Sequence, residues 1–221
     1  MTALRYRAVL FDLDGTLVDS YAALAESVNF ARRHHGLPEL AETHIKGFVG
    51  DGLDRLLQRA FECDSIPDGV REAFESRYDE ICCEESKVLA DVETTLDELT
   101  MMGVVMAVCT NKPTVFSKKI LDFLNLSPHF RAIVGPDLAG ARKPDGRHVL
   151  RTLEEAGCST EAALFVGDML IDIAAARASG IDVAVVTTGS SSYEQLVEAR
   201  PDHVLGRFSD LVAVVRDGAR A

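Results

Sequence analysis

The chain is organised around one stretch near its start, Ala8-Val-Leu-Phe-Asp-Leu-Asp-Gly-Thr-Leu-Val-Asp-Ser20. The apolar run from Val9 to Phe11 is typical of a strand that is buried on both faces of a parallel sheet. The run stops at two carboxylates, Asp12 and Asp14, which leave the strand on the same side because strand side chains alternate. Two acids this close repel each other unless a cation lies between them. We expect Mg²⁺ there, since it binds carboxylates together with water and phosphate oxygens.

The same residues also fit a simpler structure. Asp-Gly is common turn chemistry, so Asp14-Gly15 could belong to a polar turn without any ligand. This stretch alone does not distinguish a metal site from a turn. The residues at the ends of the other predicted strands help to decide between the two.

Composition bounds the class of protein. The 221 residues are 47% hydrophobic and 26% charged, as in an ordinary globular protein. A net charge of −12 argues against a nucleic-acid-binding or anionic membrane surface. The five cysteines lack the spacing of a disulfide framework. The sequence shows neither a signal peptide nor a membrane span, so we expect a cytoplasmic protein with reduced thiols.

Hydrophobic patterning predicts a doubly wound α/β fold with a helical insertion. Further strands are predicted at 104–109, 132–134, 163–166 and 183–186, each separated from the next by a helical pattern. The stretch between the first and second strands is far longer than an ordinary crossover and has only helical periodicity. We therefore predict an α/β core, residues 1–18 and 87–221, with a helical cap, residues 19–86.

Polar residues follow each of the next predicted strands. Thr110 and Asn111 follow the second strand, Lys143 lies beyond the third, and Asp168 and Asp172 follow the fourth. Ligands of open α/β sheets bind beyond the carboxyl ends of the strands. These groups are therefore expected to meet Asp12 and Asp14 at one edge of the sheet.

Taken in order, these motifs resemble those of the haloacid dehalogenase superfamily. The matching residues are Asp12-x-Asp-Gly-Thr, Thr110-Asn, Lys143-Pro and Gly167-Asp-x-x-x-Asp172. The helical insertion is similar to the C1 cap of that superfamily. Within it, Phe48-Val-Gly-Asp-Gly-Leu-Asp-Arg-Leu-Leu-Gln-Arg-Ala60 resembles the corresponding segment of phosphoglycolate phosphatases.

The resemblance implies a role for each residue of the constellation. Asp12 would attack phosphorus and form an aspartyl-phosphate, while Asp14 would protonate the leaving alcohol and then deprotonate water. Thr110 and the backbone at Asn111 would bind phosphoryl oxygens, and Lys143 would neutralise charge. Mg²⁺ would be held by Asp12, the main-chain carbonyl of Asp14, Asp168 and Asp172, the last of these through water or by orienting Lys143.

Two cap residues are weaker candidates for contacts with the far end of the substrate. These are Lys46 and Arg59, for which a solvated surface position is the favoured alternative. The chain also departs from the family pattern at Met169 and Ile171, where many relatives carry small or polar residues. The departures bear on the substrate more than on the reaction.

The sequence thus predicts a Mg²⁺-dependent phosphatase of a small phosphorylated metabolite, with phosphoglycolate as the leading substrate. A sugar phosphate, a nucleotide or pyrophosphate is the alternative. Dehalogenation would leave Asp14 idle, and the helix at 21–30 lacks the histidine of related phosphosugar mutases. Receiver domains lack the helical insertion. A non-catalytic regulatory protein stays open.

Overall fold

The computed structural model describes residues 4–217, which form a parallel sheet covered by helices on both faces. The described strands are β1 (Ala8–Phe11), β2 (Val18–Asp19), β3 (Lys87–Val88), β4 (Val105–Cys109), β5 (Ala132–Val134), β6 (Ala163–Gly167), β7 (Asp182–Val185) and β8 (His203–Val204). The described α-helices are α1 (Tyr21–His34), α2 (Glu42–Lys46), α3 (Leu53–Ala60), α4 (Val70–Ile81), α5 (Val92–Met101), α6 (Thr114–Phe123), α7 (Pro136–Ala139), α8 (Gly146–Glu155), α9 (Leu170–Ser179), α10 (Tyr193–Glu198) and α11 (Leu211–Asp217).

The main sheet has the order β5-β4-β1-β6-β7-β8, with every pair parallel. The strand β1 lies in the middle because its four residues are apolar and buried on both faces. Val9 and Phe11 face one hydrophobic cluster, and Ala8 and Leu10 face the other. The predicted doubly wound α/β fold is confirmed.

The register places the ends of three strands side by side. Phe11 pairs with Val108 on one side and with Val166 on the other. The residue after β1, Asp12, therefore lies next to the last residues of β4 and β6. Thr110 and Asp168 follow one residue further along their strands, so the polar residues predicted at this edge do reach it.

Helices α1 to α4 follow one another between β2 and β3 without contributing to the main sheet. β2 and β3 pair antiparallel, with Val18 opposite Val88, where the chain leaves and re-enters the sheet region. This arrangement agrees with a helical insertion, while the boundaries of a separate cap at 19–86 stay a prediction. We refer to residues 19–86 as the cap below.

Seven short elements were not predicted from the sequence, namely β2, β3, β8, α2, α7, α10 and α11. The helix α2 has five residues, and β8 adds a sixth strand of two residues at the sheet edge. A helix of less than two turns, or a strand of two residues, is too short for its hydrophobic residues to show a period in the sequence. Across residues 4–217, no helix has both the length and the apolar composition needed to cross a membrane.

Candidate active site

Three buried aspartates form a cluster at the carboxyl edge of the sheet. Asp12 follows β1, Asp168 follows β6, and Asp172 lies in the first turn of α9. One carboxylate oxygen from each lies within 4.8 Å of the others. Asp172 is held by the main-chain N–H groups of Asp168 and Met169, which donate to its Oδ2 at 3.1 and 3.0 Å.

Burial makes this cluster electrostatically demanding. Burial first, and then the charges of Asp172 and Asp12, raise the pKa of Asp168 well above its usual range. Burial likewise raises the pKa of Asp172 to about 6, although Lys143 opposes the shift. When all three carboxylates are ionised, the single lysine leaves two negative charges uncompensated in the cluster. Hard oxygen donors with this charge fit a divalent cation such as Mg²⁺.

Lys143 supplies the positive charge inside the cluster. Its side chain is completely buried, and Nζ lies 2.8 Å from Asp12 Oδ1 and 2.7 Å from Asp172 Oδ1. Burial alone would lower the pKa of Lys143, but the two carboxylates outweigh it and raise the pKa. The lysine is therefore charged and bridges the first and fourth motifs.

Asn111 holds the Lys143 loop against the end of β4. Its Oδ1 accepts a hydrogen bond from the Lys143 N–H at 2.8 Å, and its Nδ2 donates to the Lys143 carbonyl at 2.9 Å. The same Nδ2 donates to the carbonyl of Gly50 in the cap at 2.9 Å. Asn111 thus fixes the position of the buried lysine and ties the cap to the sheet edge. Thr110 is buried beside it.

Asp14 lies outside the cluster of three acids and has its own partners. Lys112 Nζ lies 2.6 Å from Asp14 Oδ1 and 2.5 Å from Oδ2, and the Ser20 hydroxyl donates to Oδ1 at 2.5 Å. The Lys112 side chain is only 5% exposed. The two carboxylates of the first motif are therefore in different environments, Asp12 beside Lys143 and Asp14 beside Lys112.

Sequence reasoning missed three of these partners. Thr16 donates to Asp168 Oδ1 at 2.8 Å, and Ser20 and Lys112 bind Asp14. Thr16 lies inside the first motif, and Lys112 follows Asn111 directly. Their adjacency to motif residues was the available signal, because the sequence alone does not show which polar residues next to a strand end are buried.

A cavity opens from Asp12 and Asp14 toward the cap. Its lining includes Thr110, Asn111 and Lys112 from the core, and many apolar side chains. The cavity therefore connects the two carboxylates of the first motif with an apolar space beneath the cap.

The two weaker candidates do not line this cavity. Arg59 pairs with Asp51 at 2.5 Å and donates to the Phe48 carbonyl at 3.0 Å. Lys46 Nζ lies 3.5 Å from the carbonyl of Thr188. Neither set of contacts includes a residue of the acidic cluster, so their role in substrate binding stays a prediction.

Met169, noted above as a departure from the family pattern, forms part of the cavity wall. It packs so tightly against Gly50 that a side chain at that glycine would not fit, and Gly50 has a positive φ of 123°. The apolar residue in the fourth motif therefore supports the loop of the cap that Asn111 also binds.

Known proteins are similar to this chain in sequence and in fold. A family model for haloacid dehalogenase-like hydrolases matches residues 9–186. The chain is 38% identical over 209 residues to a phosphoglycolate phosphatase of Aquifex aeolicus. The alignment covers 95% of this chain and 96% of that protein. A phosphoglycolate phosphatase of Yersinia pestis is 34% identical over 215 residues, or 95% of this chain and 93% of that protein.

A solved structure has a similar fold. The fold matches a crystal structure described as a predicted phosphoglycolate phosphatase from Haemophilus somnus with a TM-score of 0.88. The two are 30% identical, and the match covers 95% of this chain and 98% of that one. The resemblance inferred from the four motifs is thus confirmed, and the chain belongs to the haloacid dehalogenase-like hydrolases.

Proposed function

We propose that the protein is a Mg²⁺-dependent phosphatase that hydrolyses small phosphomonoesters through an aspartyl-phosphate on Asp12. The observation that carries the proposal is the pairing of Asp12 with Lys143 at 2.8 Å inside a buried cluster of acids. A carboxylate that faces a fixed ammonium can approach an anionic phosphoryl group, because the lysine offsets the repulsion between them.

The cluster has a donor set suited to the metal. Asp12, Asp168 and Asp172 would hold Mg²⁺, together with the main-chain carbonyl of Asp14. When bound, the ion would neutralise negative charge on the phosphoryl oxygens and orient them. Thr16, which donates to Asp168, would fix that ligand in place.

Two carboxylates, Asp12 and Asp14, have separate roles in the proposed reaction. An oxygen of Asp12 attacks phosphorus, the ester P–O bond breaks, and Asp14 gives a proton to the leaving alcohol. Asp14 next takes a proton from water, which attacks the same phosphorus and frees phosphate and the Asp12 carboxylate. Asp14 must hold a proton when the alcohol leaves, so its salt bridge with Lys112 has to open during turnover.

For the substrate we propose phosphoglycolate. The relatives named above are phosphoglycolate phosphatases, which supports this choice over a sugar phosphate or a nucleotide. The cap would exclude water from the site when it lies on the sheet edge, and the hydrogen bond from Asn111 to the Gly50 carbonyl supports this. A location in the cytoplasm stays a prediction.

The proposal is tested by phosphate release from a panel of phosphomonoesters with and without Mg²⁺. The panel contains phosphoglycolate, sugar phosphates, nucleotides and pyrophosphate. We expect the highest kcat/KM for phosphoglycolate, no turnover after chelation, and none with Asp12→Asn. The exposed Asp64 offers a matched control, Asp64→Asn. Phosphate binding without turnover of any ester would indicate a regulatory protein instead.

A further inference from the structure

The cavity beside Asp14 has a single positive charge on its wall. Among the described residues that line it, Lys112 is the only lysine or arginine. Its ammonium lies within 2.6 Å of both Asp14 oxygens and 5.2 Å from the centre of the Tyr78 ring. Lys143 serves Asp12 and Asp172 and does not line the cavity. The protein therefore buries two lysines at this edge, one on each side of the first motif.

Tyr78 contributes a second polar group to the same wall. It comes from α4 of the cap, is 1% exposed, and lines the cavity. Its hydroxyl makes no hydrogen bond of ordinary geometry to any residue in the range 4–217. Burial raises the pKa of Tyr78 although the nearby Lys112 ammonium opposes the shift, so the hydroxyl keeps its proton and can donate. A buried donor without a partner is costly unless a ligand accepts from it.

Apart from Thr110 and Asn111, which would bind the phosphoryl group, the rest of the wall offers no favourable partner for a negative charge. It is made largely of apolar side chains, among them Leu24, Val49, Leu56, Phe74, Phe116 and Met169. A carboxylate surrounded by such groups would lose its hydration without compensation. The other charged residues on the wall, Asp12 and Asp14, would repel it. A second anionic group on a substrate can therefore be stabilised only where Lys112 and Tyr78 meet.

We propose that Lys112 and Tyr78 form a subsite for an anionic substituent on the leaving group, specifically a carboxylate. The inference rests on the proposed phosphatase function and names the feature that selects its substrate. One carboxylate oxygen would accept a hydrogen bond from Lys112 Nζ, and the other would accept one from the Tyr78 hydroxyl. Lys112 would then leave Asp14 and bind the ligand instead. Because Lys112 lies in the core and Tyr78 in the cap, the subsite is complete only when the cap lies on the sheet edge.

The test compares two substrates that differ only in the charge of interest. Phosphoglycolate has a carboxylate where its amide, 2-phosphoglycolamide, has a neutral group of the same size. The readout is the ratio of kcat/KM for the acid to that for the amide. We expect the wild type to prefer the acid, and Lys112→Met to reduce this ratio by about tenfold or more, the range for hydrogen bonds to charged groups. Tyr78→Phe, which removes one oxygen, should reduce the ratio several-fold, mainly through KM.

Two further variants separate charge from position. Lys112→Arg keeps the charge and should retain part of the preference. Lys118→Met removes an exposed lysine in α6, the helix that begins two residues after Lys112, and should leave the ratio unchanged. Since Lys112 also holds Asp14, we expect Lys112→Met to slow both substrates, and only the loss of preference reports the subsite.

Binding to the Asp12→Asn protein gives the same comparison without turnover. Phosphoglycolate should bind at least about tenfold more tightly than the amide, and Lys112→Met should abolish the difference. If Lys112→Met slows both substrates equally, or if the wild type does not distinguish them, the subsite is refuted and Lys112 only positions Asp14. If no ester is hydrolysed but the binding preference is found, the phosphatase proposal fails and the subsite stands.

Discussion

Replacing Lys143 with methionine should destabilise the protein through charge and not through packing. Methionine fills a similar volume but leaves Asp12 and Asp172 without the ammonium that now lies 2.8 and 2.7 Å from their oxygens. Two unit charges 4.8 Å apart, the limit within which the acidic oxygens lie, repel by about 3.5 kcal/mol at an effective dielectric constant of about 20. Removing one partner of a buried ion pair costs about 3–5 kcal/mol. We expect a loss of this size in the free energy of unfolding.

The assay is urea denaturation of Lys143→Met and the wild type, at several pH values, without divalent metal. Burial, and after it the neighbouring carboxylates, raise the pKa of Asp168 and Asp172 in the folded protein. A carboxyl whose folded pKa is raised loses stability as the pH rises from its unfolded value through its folded value. Lys143 opposes the rise for Asp172, so removing it raises the pKa of that carboxyl further, and the deficit should be small near pH 5 and full at pH 8. Adding Mg²⁺ should restore part of it.

The exposed Lys118 again provides a control, because Lys118→Met removes one positive charge without exposing a buried acid. In Lys143→Met, kcat should fall by a factor of about 10²–10³, the loss typical when a group that stabilises the charge of a transition state is removed. A loss in unfolding free energy below about 1 kcal/mol, equal at pH 5 and pH 8, would refute the reasoning. Buried carboxylates without a cationic partner should destabilise the protein by more than this.

Three further predictions follow from single contacts. Thr16→Val removes the hydroxyl that orients Asp168 and should raise the Mg²⁺ concentration for half-activation by about 10- to 100-fold. His148 is buried and its pKa is lowered to about 4, so the unfolded chain binds an extra proton between pH 4 and 6.5. Stability should therefore rise with pH across this window by about 3 kcal/mol, and His148→Leu should remove that part of the slope. Asn111→Ala breaks the contacts to the Lys143 loop and to Gly50, and should lower kcat/KM by about 10- to 100-fold.

Each of these has a contradicting result. An unchanged Mg²⁺ requirement in Thr16→Val would separate Asp168 from the metal. An equally steep pH dependence in urea denaturation of His148→Leu would assign the slope to other groups. Normal kinetics in Asn111→Ala would mean that neither the lysine loop nor the cap needs this amide.

The fold was predictable where apolar runs are long enough to show a period. The run from Val9 to Phe11, interrupted by Asp12, located both the central strand and its functional end. The strand β8 and the helix α2 could not be predicted, because their formation depends on pairing and packing with distant residues.

The candidate site was predictable in its charges and less so in its contacts. Asp12, Asp14, Thr110, Asn111, Lys143, Asp168 and Asp172 do meet at one edge of the sheet. Lys112 was missed because lysines are usually exposed, and only the folded chain shows that this one is buried against Asp14. Lys46 and Arg59 were chosen for their charge alone, and a cap side chain's direction depends on packing that the sequence does not display.

The measurement that bears most directly on the mechanism is chemical trapping of the phosphorylated residue. Enzyme turning over phosphoglycolate with Mg²⁺ is quenched in acid and reduced with borohydride, which converts an aspartyl-phosphate to homoserine that mass spectrometry can locate. We expect homoserine at position 12, and none without substrate or in Asp12→Asn. Homoserine at another aspartate, or near-normal turnover by Asp12→Asn, would contradict the assignment of Asp12 as the nucleophile.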